Sequence, residues 1–502
     1  MAPLLVIFVH GWSVTSTDTY GELPARLRAE ASTGGGRLDV EHIHLARYVS
    51  FRDEVRVEDL ARAFDSALAR VLASAGANRR CACITHSTGA AVVREWLDRF
   101  HVQPQRIDDC AISHFVMLAP ANFGSALAQL GKSRLAAIRS WFNGVEPGQG
   151  VLDWLELGSP EACTLNLRWI NDYPRLKLGT RAAPVFLFVL SGETIDRKLY
   201  DHVNAYTGEI GSDGVVRLAA ANLNATHIVL EQPDPLPGEP LPGARKRLRA
   251  LQVVAKQRSP KTAFAIVPGA AHSGEDKGIL RSVRNDGNEH PTVTAILRCL
   301  GVHDAAGYSA LCNAFANENA ELQEVANRLE IEKVPVLPDR MYFHDPHAMV
   351  IFRLFDSLGR TPDVNLLLTA GPQGDPNQLP SGFLSDRQGN RRSGNVTFYL
   401  NHAALAGCAP VPGPAPGTIA RAALVPRSPY GLRVLPREPE RLVEYWPCEL
   451  DAAVENLLPH IAPNETTIID IRLSRIVREG VLRMSRSSAP RNFKDIDPGG
   501  VI

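Results

Sequence analysis

The residues that could do chemistry are a serine, an aspartate and a histidine far apart along the chain. Ser87 stands in Thr85-His86-Ser87-Thr88-Gly89, after the apolar run 81–84 and before a segment, 90–100, with apolar residues at helical spacing. A strand, a sharp turn and a helix look this way in sequence. Such a turn lifts a serine oxygen above the sheet as a nucleophile, while the next backbone N–H faces a developing oxyanion. Small residues at Gly89, Ala90 and Ala91 let the helix begin close to the strand. The usual pattern has Gly two residues before the serine. Thr85 takes that place here, where backbone space is all that is required.

A serine nucleophile needs a base and a group that orients the base, and on a parallel sheet flanked by helices the chain order is serine, acid, histidine. Two downstream loops fit that order. Gly211-Ser212-Asp213-Gly214 comes after the apolar run 184–190, and Pro268-Gly269-Ala270-Ala271-His272 follows the apolar run 262–267. Both lie beyond strand C-terminal ends, where open parallel sheets build their sites. Asp213 is the expected orienting carboxylate and His272 the expected general base. Glu193, Asp196 and Asp201 remain rivals for the acid, and His227 and His290 for the base.

Each residue alone has an ordinary explanation: Ser87 as a helix cap, Asp213 as half of a common Asp-Gly turn, His272 as a solvated loop residue. Their joint order at three strand ends is what points to catalysis. The N–H of Thr88 is one expected oxyanion donor. The other is that of Trp12, after the first apolar run, with Gly11 permitting the turn and His10 holding the loop.

The elements that must position these residues follow from apolar patterning. Residues 4–9 form a continuous β-branched apolar run, the mark of a strand buried on both faces, and 112–119, 184–190 and 262–267 read as further buried strands. Residues 57–73 carry Leu60, Phe64, Leu68 and Val71 on one helical face. Strands alternating with helices predict an α/β fold, a mostly parallel sheet with helices on both sides, over 1–303. Leu- and Trp-rich residues 123–180 are the expected helical cap over the site. Residues 304–335 read as a helical linker. Short runs at 349–355, 365–369, 395–400, 422–425 and 467–471, separated by Gly, Pro, Asn and Asp, predict an antiparallel β-sandwich-like C-terminal domain over 336–490, with 491–502 a loose tail. Residues 409–416 read as a polyproline-like loop.

The 502 residues carry 54 basic and 54 acidic side chains, so net charge gives no reason to expect nucleic acid. The eight cysteines lack paired metal spacing and are expected as buried free thiols. The chemistry calls for no cofactor and no metal. The N-terminal run has no basic leader and no cleavage site, and no stretch approaches a membrane span, so a chain made in the cytoplasm without a signal peptide is expected.

Taken together, Val9-His10-Gly11-Trp12, Thr85 to Gly89, Leu118-Ala119-Pro120-Ala121-Asn122-Phe123-Gly124-Ser125, Ser212 to Val216 and Gly269 to His272 resemble the α/β-hydrolase superfamily, and within it the bacterial lipases and phospholipases. The resemblance covers about residues 1–302. It implies acyl transfer through an acyl-enzyme on Ser87, with His272 as base and Asp213 as its partner, on a lipid or phospholipid ester. A leaderless lipase with an added β domain is also similar to type VI secretion effectors. That likeness implies export by that system, contact with a membrane surface and an immunity or secretion-machinery partner. Two other readings stay open: an intracellular esterase, thioesterase or acyltransferase with the same triad, and a non-catalytic binding protein on a hydrolase scaffold.

Overall fold

The structure is a computed structural model that describes residues 4–9, 17–33, 36–43, 52–76, 79–130, 148–195, 209–234, 248–333, 339–359, 363–437 and 443–477. In chain order the strands that matter are β1 (Leu4–Val9), β2 (Leu38–Ile43), β3 (Cys81–His86), β4 (Ile112–Leu118), β5 (Phe186–Gly192), β6 (Ala225–Glu231), β7 (Gln252–Arg258) and β8 (Ala263–Val267). They are followed by β9 (His347–Phe355), β10 (Val364–Ala370), β11 (Leu384–Gly389), β12 (Val396–Asn401), β13 (Tyr430–Pro436), β14 (Cys448–Leu450) and β15 (Thr466–Arg472). The main helices are α1 (Leu23–Thr33), α2 (Val57–Ala75), α3 (Gly89–Leu97), α4 (Gln149–Leu155), α5 (Pro160–Asn171), α6 (Pro291–Leu300) and α7 (Ala305–Leu322).

The first sheet has the order β2-β1-β3-β4-β5-β8, and every pairing in it is parallel. Alternation along each strand sends its apolar residues to two cores. Leu5, Ile7, Val9, Cys81 and Cys83 pack with Leu60, Phe64 and Leu68 of α2 and with α3, while Val6, Phe8, Ala82 and Ile84 pack with α1, α6 and α7. Continuous apolar runs are what such two-sided burial demands. Seven cysteines are buried and Cys408 is half-buried; all eight are free, as expected. Residues 305–322, read from the sequence as a linker, instead belong to this layer: Leu311, Cys312 and Phe315 are buried in the same core as β8. The Asn319 side chain also bonds the backbone of Phe264 and Ile266.

The second sheet runs β11-β12-β9-β15-β6-β7. It is antiparallel at both edges and parallel in the middle, where β15 lies between β9 and β6. Residues 225–258 precede the sequence boundary at 303, yet they give this sheet β6 and β7, so the two sheets interleave along the chain. A third, smaller sheet of β10, β13, β14 and the short strand Arg249–Ala250 faces it over a core that includes Ile228, Leu230, Val350, Phe352, Leu368, Leu432 and Ile469. The opposite face of the second sheet, through Met349, Ile351, Tyr399 and Ile468, enters the core shared with α5 and the first sheet. That is why β9 reads apolar at nearly every position rather than at alternate ones. Residues 422–425 do not form the expected strand; their backbone makes one isolated bridge, Leu424 to Cys408, after a short strand at Ile419–Arg421. Among the described residues no helix is long and apolar enough to cross a membrane.

His347, at the start of β9, has a consequence for stability. Burial pulls its imidazole down to about 4. The unfolded chain takes up this proton below the ordinary histidine range near 6.5 and the folded chain does not, so stability falls as pH falls from about 6.5 to about 4. The loss from this one group is about 3 kcal/mol. Thermal unfolding across pH 4–7 is expected to show a shallower acid-side fall for His347→Gln than for the parent chain; an unchanged slope would remove His347 as its source.

Candidate active site

Strand β3 delivers the chain to Ser87, whose φ of +52° lies in the left-handed region that a non-glycine residue adopts only under constraint. The constraint is visible. The Ser87 N–H donates to the Leu118 carbonyl at 3.0 Å, and the Ser87 carbonyl accepts from Ala90 as α3 begins. With Gly89, Ala90 and Ala91 all buried at that start, the helix sits directly behind the turn. Thr85 is fully buried in β3, and the elbow forms with it in place of the usual glycine.

The loop after β8 carries His272. Gly269 turns it with φ +70°, and it then passes so near the end of β5 that a Cβ at Gly192 would lie 1.9 Å from the Ala270 carbonyl oxygen. The backbone of His272 is held at both polar ends. Its N–H donates to the Asp213 carbonyl at 2.9 Å, and its carbonyl accepts from His86 Nε2 at 3.2 Å. A carbonyl only accepts, so His86 carries its proton on Nε2.

Asp213 comes from the loop between β5 and β6. Gly211 (φ +75°) and Gly214 (φ +93°) bend it, and Asp213 N–H donates to Val216 O across the turn. The carboxylate is wholly buried. Its Oδ1 accepts the N–H groups of Val215 (3.0 Å) and Val216 (2.7 Å). Its Oδ2 stands 2.9 Å from His272 Nδ1. That contact places the imidazole proton on Nδ1 and leaves Nε2 as an acceptor, 3.2 Å from Ser87 Oγ. Ser87, His272 and Asp213 thus form one continuous chain of hydrogen bonds, at 8%, 2% and 0% exposure. Only the hydroxyl end meets solvent or substrate. The arrangement can deprotonate the serine, store the proton on an imidazole beside a carboxylate, and return it to a leaving group.

The other candidates lie elsewhere or beyond view. His227 is on β6, within 3.2 Å of Asp470; His290 caps α6 and bonds Ser282. Glu193 is bonded by Gln323, and burial raises its carboxyl. Asp196 and Asp201 lie outside the described residues, as do His10, Gly11 and Trp12. Thr88 is buried where α3 begins. Among the described residues no group of three or more His, Cys, Asp or Glu side chains is placed to hold a metal ion.

Sequence reasoning missed the residues that bind the loops to one another. Asn122, after β4, donates to the Ala221 carbonyl and accepts from the buried Arg94; Asn166 of α5 bonds both. Ser125 Oγ donates to the Val215 carbonyl at 2.6 Å, tying the cap entrance to the acid loop. Asn122 and Ser125 both stand in the Leu118 to Ser125 segment that carries part of the family resemblance, which marks the loop but not these bonds. Of the cap, residues 131–147 lie outside the described ones. The remainder, α4 and α5, buries Leu152, Trp154, Leu155 and Trp169.

No family model matches the chain, and neither does any curated protein. Solved structures do. The chain is similar to the phospholipase PlaB from Legionella pneumophila, at 38% identity over 100% of this chain and 99% of that one, with a TM-score of 0.82. The same phospholipase in complex with thio-NAD aligns at 39% identity, 99% coverage of both chains and a TM-score of 0.80.

Proposed function

The chain belongs with PlaB to the bacterial lipases and phospholipases of the α/β-hydrolase superfamily, and from that membership we propose that Ser87, His272 and Asp213 carry its hydrolysis of phospholipid esters. The protein is a serine ester hydrolase. The observation that carries the assignment of roles is the unbroken bonding from Ser87 Oγ through His272 to Asp213.

In the reaction Ser87 Oγ attacks the ester carbonyl as His272 Nε2 takes its proton. The imidazolium is stabilised by Asp213 Oδ2, whose own position is fixed by two backbone N–H groups. Collapse of the tetrahedral intermediate breaks the ester C–O bond, and His272 returns the proton to the departing alcohol. Water activated by the same imidazole then releases the fatty acid and restores Ser87. The N–H at Thr88, at the helix start, is the donor we assign to the oxyanion, with Trp12 as its expected partner.

Full-length likeness to a phospholipase supports a phospholipid over a thioester. It adds nothing for type VI export or an immunity partner. Purified full-length chain assayed on phosphatidylglycerol and phosphatidylcholine vesicles, nitrophenyl esters of rising chain length and acyl-CoA is expected to release fatty acid fastest from the vesicles. Preferential turnover of acyl-CoA would replace this reading with a thioesterase.

A further inference from the structure

Among its contacts with the catalytic domain, the second sheet grips the loop that carries Asp213. Tyr399 of β12 is fully buried, and its hydroxyl donates toward the carbonyl oxygens of Ile210 (2.8 Å) and Gly211 (3.1 Å), three and two residues before the carboxylate. Gly211 has no room for anything larger: a Cβ there would lie 2.5 Å from the Tyr399 hydroxyl. The far end of the loop is held from the same side. Arg217, at 2% side-chain exposure, forms a two-pronged ion pair with Glu209 (2.8 Å for each bond) and a second pair with Asp386 of β11. Its guanidinium lies over the Tyr399 ring, 4.1 Å from the centroid. His347 of β9 stacks on the same ring at 4.6 Å and is itself bonded to Ser385 and the Asp345 carbonyl.

Both ends of the 209–217 turn are therefore fixed by side chains of β11 and β12, while its middle presents Asp213 to His272. We propose that Tyr399 and Arg217, braced by Asp386, are positioning residues for the catalytic carboxylate, so that the C-terminal sheets complete the triad rather than merely accompany it. None of the three touches His272 or Ser87 in this structure. Their effect passes through the loop backbone, whose placement sets the Asp213 to His272 contact; displacements of about 1 Å in such geometry cost on the order of 100-fold in rate. The proposal rests on the assignment of Asp213 as the acid.

The test is a double-mutant cycle in the full-length chain. Tyr399→Phe removes one oxygen and keeps the ring beneath Arg217. Its kcat on phospholipid vesicles is expected to fall about tenfold or more with KM changed less than about twofold, because the substrate pocket is not touched. In an Asp213→Asn background, at enzyme concentrations that make residual turnover readable, the same change is expected to have almost no further effect, since residues acting through one group do not add. Asp386→Asn run through the same cycle should follow the pattern, and it decides the question if Tyr399→Phe unfolds. A kcat within twofold of the parent, or an equal fold-loss in both backgrounds, would overturn the proposal. Ser87→Ala measured alongside separates the two levels. If it retains activity, the triad itself is misassigned; if it is inactive and Tyr399→Phe is normal, only the positioning role fails.

Discussion

Ser87→Ala is expected to lower kcat by on the order of 10⁵-fold or more while leaving the unfolding temperature close to that of the parent. The size follows from what the residue does. Without the hydroxyl no acyl-enzyme forms, and the background left is direct attack of water in a site that still has its donors and its imidazole. The fold should tolerate the loss because among the described residues Oγ makes one bond, to His272, and that ring stays anchored through its own backbone and through Asp213. Alanine retains the strained φ of +52°, so the backbone cost at the elbow is unchanged. A fluorophosphonate probe should label the parent chain once and the variant not at all. Undiminished labelling of the variant would place the nucleophile elsewhere.

Asp213→Asn is expected to cost about 10⁴-fold in kcat, leaving measurable activity. An amide in this place keeps the two bonds from Val215 and Val216 if its oxygen faces them, and its NH₂ then faces His272 Nδ1. A donor there favours the tautomer with the proton on Nε2, and the imidazole can no longer accept from Ser87. The loss thus comes from a wrong proton position in an intact geometry. A pocket that merely needed a polar side chain would show nearly full activity, and that result would reopen the choice among Asp196, Asp201 and Glu193.

Much of this was legible before any coordinates. The elbow could be read because strand, turn and helix each leave a local mark: β-branched residues, a Ser-x-Gly pair, then apolar residues at helical spacing. Asp213 and His272, which the structure brings beside Ser87, could be singled out because each comes after an apolar run and sits among glycines. The pairing of β6 could not. Residues 225–231 form an apolar run like any other, and nothing in the run says that its partner is β15, far along the chain, rather than β5, which precedes it. Arg217 and Tyr399 were equally silent, since a buried arginine looks like a solvated one until the carboxylates that surround it are brought from residues 209 and 386. Where a contact joins distant segments, local pattern carries no trace of it.

The wedging of β15 between β9 and β6 bears on how the chain is made. The hairpin of β6 and β7 is complete at Arg258, about 210 residues ahead of Thr466, where the strand that covers its inner edge begins; at roughly 5–20 residues per second that is a wait of about 10–40 s. Through that interval Ile228 and Leu230 have no opposing sheet and the β6 edge lies open to stray pairing. Ribosome-bound fragments stopped before residue 466 should therefore recruit holding chaperones at the 225–258 segment, and a chain cut short before β15 should aggregate rather than settle as a smaller hydrolase.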